Sequence, residues 1–252
     1  LEGRRILCPH YLCYPGTDGW KGEGEIDSWM DYRASEALLL AEDGPVDIIG
    51  HSYGGFIALK LARTHPERIR RMAFHEPIVW GCLQHTERGD LRNEFGEVVE
   101  TFFTEDLAPE DFLRDFVDYW NAPGAWDSMP DHRKDAWREL QPKILSEVRL
   151  LCYDRTPPEY YEDISHPILI TMSLDTPPSP VRGLQYRLRR TSRFPHRRGP
   201  GRAHGSSDKI ERRRPASSIV ADVVGKRDSA RKSPSSRCPL ENFQVGFLFL
   251  TP

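Results

Sequence analysis

The feature that most constrains the fold is the segment Val46–Ala62, VDIIGHSYGGFIALKLA. An apolar run, which predicts a strand, is followed by Gly-His-Ser-Tyr-Gly-Gly and then by residues with the apolar spacing of a helix. A chain that turns this sharply from strand to helix forces Ser52 into a strained backbone conformation. Side chains at Gly50 and Gly54 would collide with neighbouring backbone there. The turn therefore lifts the Ser52 hydroxyl clear of the strand and places it at the helix N-terminus.

A serine held in this way is a candidate nucleophile. The backbone amide of Tyr53, next in the chain, can donate a hydrogen bond to an oxyanion that forms on an attacked carbonyl. The neighbouring His51 is expected to point away from Ser52 and to line a loop or pocket rather than act as the base. A phosphate-binding loop is not supported, because no Gly-Lys-Ser or Gly-Lys-Thr follows.

Strands and helices alternate around this turn. Short apolar runs predict strands at Arg5–Cys8, Val46–Ile49 and Arg70–Phe74, and the periodicity predicts helices at Asp27–Ala41 and Phe56–His65. The connections are short. Strands that alternate with helices in this way predict a parallel sheet covered by helices.

The segment Arg92–Pro142 differs in character, being helical in pattern, acidic and rich in aromatic residues. Pro123-Gly124 divides it into at least two parts. Most of its aromatic side chains are expected in the core, and some are expected to line a pocket for an apolar substrate. Pro167–Met172 then predicts another buried strand, followed by a Pro-rich loop.

From Leu1 to about Val181 the chain resembles the α/β-hydrolase superfamily, of the lid-containing type with a serine nucleophile. The resemblance rests on the Ser52 turn and on four further segments: RRILCPHYLCYPGTDGW, HPERIRRMAFHEP, FVDYWNAPGAWDSMP and HPILITMSLDTPPSP. It implies an α/β fold in which a parallel sheet with flanking helices carries a helical lid. It also implies Ser-dependent hydrolysis of a small apolar ester-like substrate, without a cofactor. The serine at position 52 disfavours dehalogenase or epoxide hydrolase chemistry, for which this fold uses an aspartate.

A serine nucleophile needs a histidine base and a carboxylate that orients it. The resemblance places the acid at Asp175, in the loop after the Pro167–Met172 strand, although the glycine that usually precedes it is missing. Glu76 is the alternative acid, since some members of the superfamily supply it after the strand that ends near Phe74.

The base is assigned to His204, which follows Asp175 by about the usual family interval. His196 is a weaker candidate, and His166 is expected to be a loop residue. The spacing of the histidines matches no metal-ligand pattern, so no metal is predicted.

The resemblance divides the chain into residues 1–90, the core with the Ser52 turn; 91–163, the helical lid; 164–181, a core strand with the acid loop; and 182–252, a basic tail of low order. Residues 1–181 hold 18 Lys and Arg against 33 Asp and Glu, whereas residues 182–252 hold 17 against 5. The tail around His204 lacks the strand and amphipathic helix that the family pattern requires.

A shifted reading frame accounts for this tail. Reading Pro195–Gly205 one base later permits a strand-Gly-x-Gly-His segment like that of the family, with its histidine codon straddling Ala203 and His204. A misassigned exon and a genuine basic tail are the alternatives. The resemblance also implies truncation before Leu1, where the family's first strands and the loop with the second oxyanion donor would lie.

Two other functions are alternatives for this chain. A non-catalytic α/β-hydrolase-like binding domain would keep the fold without a working base. Nucleic-acid binding by the basic tail is disfavoured, because the tail has neither interleaved aromatic residues nor a basic helical face. Five scattered cysteines predict no disulfide framework and a cytoplasmic location. No apolar run approaches the ~20 residues that span a bilayer, so no membrane partner is expected.

Overall fold

The computed structural model describes residues 5–20, 26–85, 87, 89–103, 108–171 and 247–251. The strands are Arg5–Leu7 (β1), Val46–His51 (β2), Ile69–His75 (β3), Ile168–Thr171 (β4) and Phe247–Thr251 (β5). The helices are Met30–Leu40 (α1), Tyr53–Thr64 (α2), Gly89–Phe102 (α3), Pro109–Trp120 (α4), Asp131–Tyr153 (α5) and Glu159–Glu162 (α6). Short 3-10 segments lie at Pro66–Arg68 and Trp80–His85.

The five strands form one sheet in the order β1-β5-β2-β3-β4. β2, β3 and β4 run parallel, whereas β5 is antiparallel to both of its neighbours. The α/β architecture with flanking helices is confirmed, but the sheet is mixed and the prediction of a wholly parallel sheet is wrong.

The last strand corrects the prediction that residues 182–252 stay outside the sheet. Phe247–Thr251 lies between β1 and β2, where Phe249 faces Ile48 on one side and Leu7 on the other. Two strands left apart would expose unpaired backbone groups at the centre of the sheet, and β5 satisfies them. The run FLFLT has the length and the apolar, aromatic composition of a strand, so the signal was present in the sequence. Residues 172–246 lie outside the described ranges.

The helix α2 lies at the centre of the hydrophobic core. Every residue from Tyr53 to Ala62 is buried, because α2 crosses the sheet and is covered by other helices. It begins directly after Ser52, three residues before its predicted start at Phe56. The turn needs no connecting loop, since Ser52 itself is the last non-helical residue.

Three helices form the predicted lid. α4 packs on α3 and on α5, and both α3 and α5 pack on the segment Trp80–His85. α5 continues beyond the predicted boundary at Pro142, although an internal proline costs the helix a hydrogen bond. The burial of Ile144, Val148 and Leu151 on the following turns offsets that cost. Within the described ranges, no helix is long and apolar enough to cross a bilayer.

Candidate active site

Ser52 has the strained conformation that its turn predicts. Its φ of 52° and ψ of −123° lie where residues with a side chain are rarely found. Backbone hydrogen bonds to β3, to the chain after it and to the first turn of α2 hold it there. Its amide donates to the His75 carbonyl at 3.1 Å, and its own carbonyl accepts from Gly55 at 2.9 Å and Ile78 at 3.3 Å. Strain of this kind persists only where surrounding structure enforces it, and it is concentrated at functional sites.

Glycines make room for this turn. A Cβ on Gly50 would lie 3.1 Å from the Gly54 carbonyl oxygen, which confirms the predicted need for glycine at that position. A Cβ on Gly55 would lie 2.6 Å from Pro77, a closer conflict that involves the chain after β3. Gly55 is therefore required by a tertiary contact with Pro77, which the sequence analysis did not identify.

Tyr53 lies at the helix position where an oxyanion donor is predicted. It is the first residue of α2, so its amide has no partner within the helix. The partial positive charge of the helix N-terminus adds to the attraction for an anion. Its side chain points away into the core, where the phenol donates to Asp31 Oδ2 at 3.3 Å.

Glu76 lies beside Ser52 at the carboxyl edge of the parallel strands. It follows β3, and its amide donates to the Thr171 carbonyl at the end of β4. Its φ is 48°, so Ser52 and Glu76 are two of the three non-glycine residues with positive φ in the described chain. Both line the same cavity. The alternative acid therefore has the position and the strain of a functional residue.

His51 and His75 accompany Glu76 at this edge. The two rings stack with centroids 5.4 Å apart, His75 Nε2 lies 3.9 Å from Glu76 Oε1, and His75 Nδ1 hydrogen-bonds with the Thr171 hydroxyl. Potential ligand atoms of His51, His75 and Glu76 lie within 4.8 Å of one another, which chain spacing did not reveal. The three side chains thus form an imidazole–carboxylate cluster at the carboxyl edge of the parallel strands.

A cavity of about 230 Å³ lies above Ser52 and beneath the lid. Its aromatic walls come from the 3-10 segment and the lid helices: Trp80, Phe116, Trp120 and Trp137. Some predicted core aromatics, Phe102 and Phe112 among them, are buried away from it. His51 lines the cavity, as expected of a pocket residue. The indole Nε1 atoms of Trp80 and Trp120 are buried without an acceptor in the described part of the chain.

A buried charged cluster reaches the cavity through Glu147 and Tyr14, and sequence reasoning missed it. Lys143 and Glu147 from α5 meet Asp31 from α1, with exposed fractions of 2%, 4% and 0%. Lys143 pairs with Asp31 and lies 3.3 Å from Glu147 Oε1. Tyr14 donates its hydroxyl proton to Glu147 Oε2 at 3.0 Å, and the amide of Leu12 donates to Asp31 Oδ1 at 3.1 Å.

Burial and the charges within the cluster change the pKa values of its side chains. Burial, followed by the repulsion of Asp31, raises the pKa of Glu147 from 4.5 to about 7, although Lys143 opposes the rise. Burial would lower the pKa of Lys143, but the negative charges of Glu147 and Asp31 raise it, so Lys143 stays charged. Burial and then Glu147 also raise the pKa of Tyr14, which keeps its proton. Glu147 is thus the member that changes charge near neutral pH.

The other predicted site residues are not all described. Asp175, His196 and His204 lie outside the described residues, so their assignments as acid and base stay predictions. His166 bonds through Nε2 to the Pro66 carbonyl at 2.8 Å, as expected of a loop residue.

The family model for the alpha/beta hydrolase fold matches residues 1–149. A 2-hydroxymuconate semialdehyde hydrolase from Pseudomonas sp. is 36% identical over 73 residues, which cover 28% of this chain and 25% of that protein. Lipase LipV from Mycobacterium tuberculosis is 35% identical over 75 residues, 29% of this chain and 28% of that protein. The matched parts thus span about a quarter of these relatives' lengths. The solved structure of BpoC from Mycobacterium tuberculosis H37Rv superposes with a TM-score of 0.39 at 19% identity, covering 64% of this chain and 62% of that one.

Proposed function

Since the chain belongs to the α/β-hydrolase fold family, we propose that it is a serine-dependent hydrolase in which Ser52 attacks a small apolar ester-like substrate. The observation that carries the proposal is the enforced positive φ of Ser52, at a strand-to-helix turn that opens on an aromatic cavity. A serine with no catalytic role has no need for that strain.

The surrounding groups support acyl chemistry. The Ser52 oxygen would attack a carbonyl carbon while a histidine takes its proton, and the Tyr53 amide would stabilise the resulting oxyanion. His204 is the proposed base. Glu76 is the proposed acid in preference to Asp175, because it lies at the adjacent strand end and faces the same cavity.

The cavity bears on the substrate class. Its volume of about 230 Å³ is below the ~300–1,000 Å³ of most ligand pockets, which favours a short acyl or ring group. The buried indole N–H groups of Trp80 and Trp120 would find acceptors in the oxygens of a bound ester.

The experiment is labelling of the full chain with a fluorophosphonate probe, with the modified residue located by mass spectrometry. We expect modification at Ser52, none in Ser52→Ala, and unchanged labelling in Ser128→Ala, where an exposed lid serine is removed. Hydrolysis of p-nitrophenyl butyrate should fall by ~10³–10⁴ in Glu76→Gln if Glu76 orients the base, and in Asp175→Asn if that residue does.

Further results distinguish an enzyme from a domain that only binds its ligand. His204→Ala should lose both labelling and hydrolysis. Equal labelling of the parent chain and Ser52→Ala would refute the nucleophile. A chain that binds apolar esters but neither labels nor hydrolyses them would instead be a hydrolase-like binding domain, the second candidate, since the proposed base lies outside the described residues.

A further inference from the structure

The cavity beside Ser52 is not uniformly apolar, because one wall carries the buried carboxylate of Glu147. Its Oε2 accepts a hydrogen bond from Tyr14, but Oε1 is buried with no hydrogen-bond partner in the described chain. Lys143 lies 3.3 Å from Oε1, close enough for attraction but without hydrogen-bond geometry. A buried acceptor left in this state costs about 1–3 kcal/mol, more when it is charged.

The charges of the cluster do not cancel. Asp31 and Lys143 form a close pair, and Glu147 adds a second negative charge that this single cation cannot neutralise as well. When both carboxylates are ionised, the three buried groups carry a net charge of about −1. An unbalanced buried charge is unfavourable, so a ligand with a positive charge would gain by approaching this wall.

The rest of the lining suits such a ligand. The faces of Trp80 and Trp120 stack with centroids 5.7 Å apart, and Trp137 and Phe116 complete the aromatic wall. Aromatic faces attract cations by about 0.5–2 kcal/mol each, the more so when they are shielded from water. Among the described residues that line the cavity there is no Lys or Arg, and the acidic residues are Glu76 and Glu147.

We infer that this cavity selects substrates whose apolar group carries a protonated amine, with Glu147 as the residue that recognises the ammonium. The inference takes from the proposed function that the cavity receives the substrate, and it adds the substrate's chemical class. The ammonium would approach the Glu147 carboxylate, while the carbon skeleton would lie against the indole rings. A carboxylate-bearing analogue would be repelled by the same wall.

Binding to Ser52→Ala tests this without catalysis. The probes are 2-phenylethylamine, 2-phenylethanol and propylbenzene, which share a ring and arm but end in an ammonium, a hydroxyl or a methyl group. Isothermal titration at pH 8 should show the amine binding at least about tenfold tighter than either neutral probe, which corresponds to about 1.4 kcal/mol. Equal affinity of the amine and the alcohol would mean that the wall recognises a hydroxyl, and would overturn the inference. So would failure of all three probes to bind.

Two double variants test whether Glu147 is the residue that recognises the ammonium group. Ser52→Ala/Glu147→Gln should lose the preference for the amine. Ser52→Ala/Glu139→Gln should keep it, since Glu139 lies exposed on the same helix. A preference that survives Glu147→Gln would refute the assignment.

The pH dependence is a second readout that remains where the Glu147→Gln variant does not fold, and His51 and Glu76 are the other titratable side chains of acid or imidazole type that line the cavity. The titratable groups around Glu147 come from its own helix, from α1, from α2 and from the chain before α1: Lys143, Asp31, Tyr53, Tyr11 and Tyr14. Of these, the tyrosines keep their protons and Lys143 its charge at neutral pH. The ionised fraction of Glu147, whose pKa is about 7, rises with pH, so amine affinity should be about tenfold weaker at pH 6 than at pH 8. Amine affinity that does not change over this range would contradict the inference.

If Ser52 proves not to be the nucleophile, the labelling experiment fails while amine binding persists. If the amine preference is absent, labelling of Ser52 persists. The two proposals therefore fail separately.

Discussion

Replacing Glu147 by Gln is expected to change how the stability of the protein depends on pH. The side chain lies on α5 with 4% of its surface exposed, between Lys143 and Tyr14. Glutamine has nearly the same shape and can still accept the Tyr14 hydrogen bond, but it cannot ionise. The substitution thus imitates the protonated glutamic acid at every pH.

The magnitude follows from the raised pKa. In the unfolded chain Glu147 titrates near 4.5, and burial raises its pKa in the folded protein to about 7. Between these values the folded state binds the proton more tightly than the unfolded state, so stability falls as pH rises. At 1.36 kcal/mol per pH unit the full loss is about 3 kcal/mol, most of which falls between pH 5 and pH 8. Above about pH 8 both states are ionised and the contribution of Glu147 is constant.

Urea unfolding followed by circular dichroism measures this directly. The free energy of unfolding is determined at pH 5, 6, 7 and 8 for the parent chain and for Glu147→Gln, and the difference between them is plotted against pH. Other titrating groups contribute to both chains and cancel in the difference. The variant should gain about 2–3 kcal/mol relative to the parent across the range, or about 1 M in the urea midpoint. Glu139→Gln, exposed on the same helix, should show a flat difference.

A difference that stays constant from pH 5 to pH 8 would refute the reasoning. It would mean that Glu147 is ionised throughout, stabilised by Lys143 more strongly than its burial penalises it, or that water reaches the cluster. A difference of opposite sign would mean that the charged form stabilises the fold, in which case the repulsion from Asp31 is outweighed.

Two further substitutions test the packing around the site. Lys143→Met should lower the free energy of unfolding by about 3–5 kcal/mol, because it leaves Asp31 buried without its cation. The double variant Lys143→Met/Asp31→Asn should recover part of that loss. A loss below about 1 kcal/mol for the single variant would show that the pair is not desolvated. Phe249→Ala should lower the free energy of unfolding by about 3–5 kcal/mol, since this fully buried ring lies on the strand between β1 and β2. Unchanged urea unfolding would mean that Phe247–Thr251 does not lie between these two strands.

The sequence by itself determined the local geometry of this protein. The turn at Ser52 could be predicted because its glycines, its apolar strand and its helix lie within one short segment, and the steric limits on a strand-to-helix turn act over a few residues. The same holds for the strands and helices of the first 75 residues and for the aromatic lid, whose periodicities are local. The parallel order of β2, β3 and β4 followed from their helical connections.

Only the tertiary structure decided which distant residues meet. β5 joins the sheet far along the chain from its neighbours, and its antiparallel direction is set by pairing with unsatisfied backbone edges that no local pattern reveals. Glu76 gained its place beside Ser52 from the register of β2 against β3. Asp31, Lys143 and Glu147 come together because α1 and α5 both pack on α2, and their long separation in sequence hid the cluster. A buried charge takes its pKa from the groups that surround it in space, so the property that singles out Glu147 could not be read before the chain was folded.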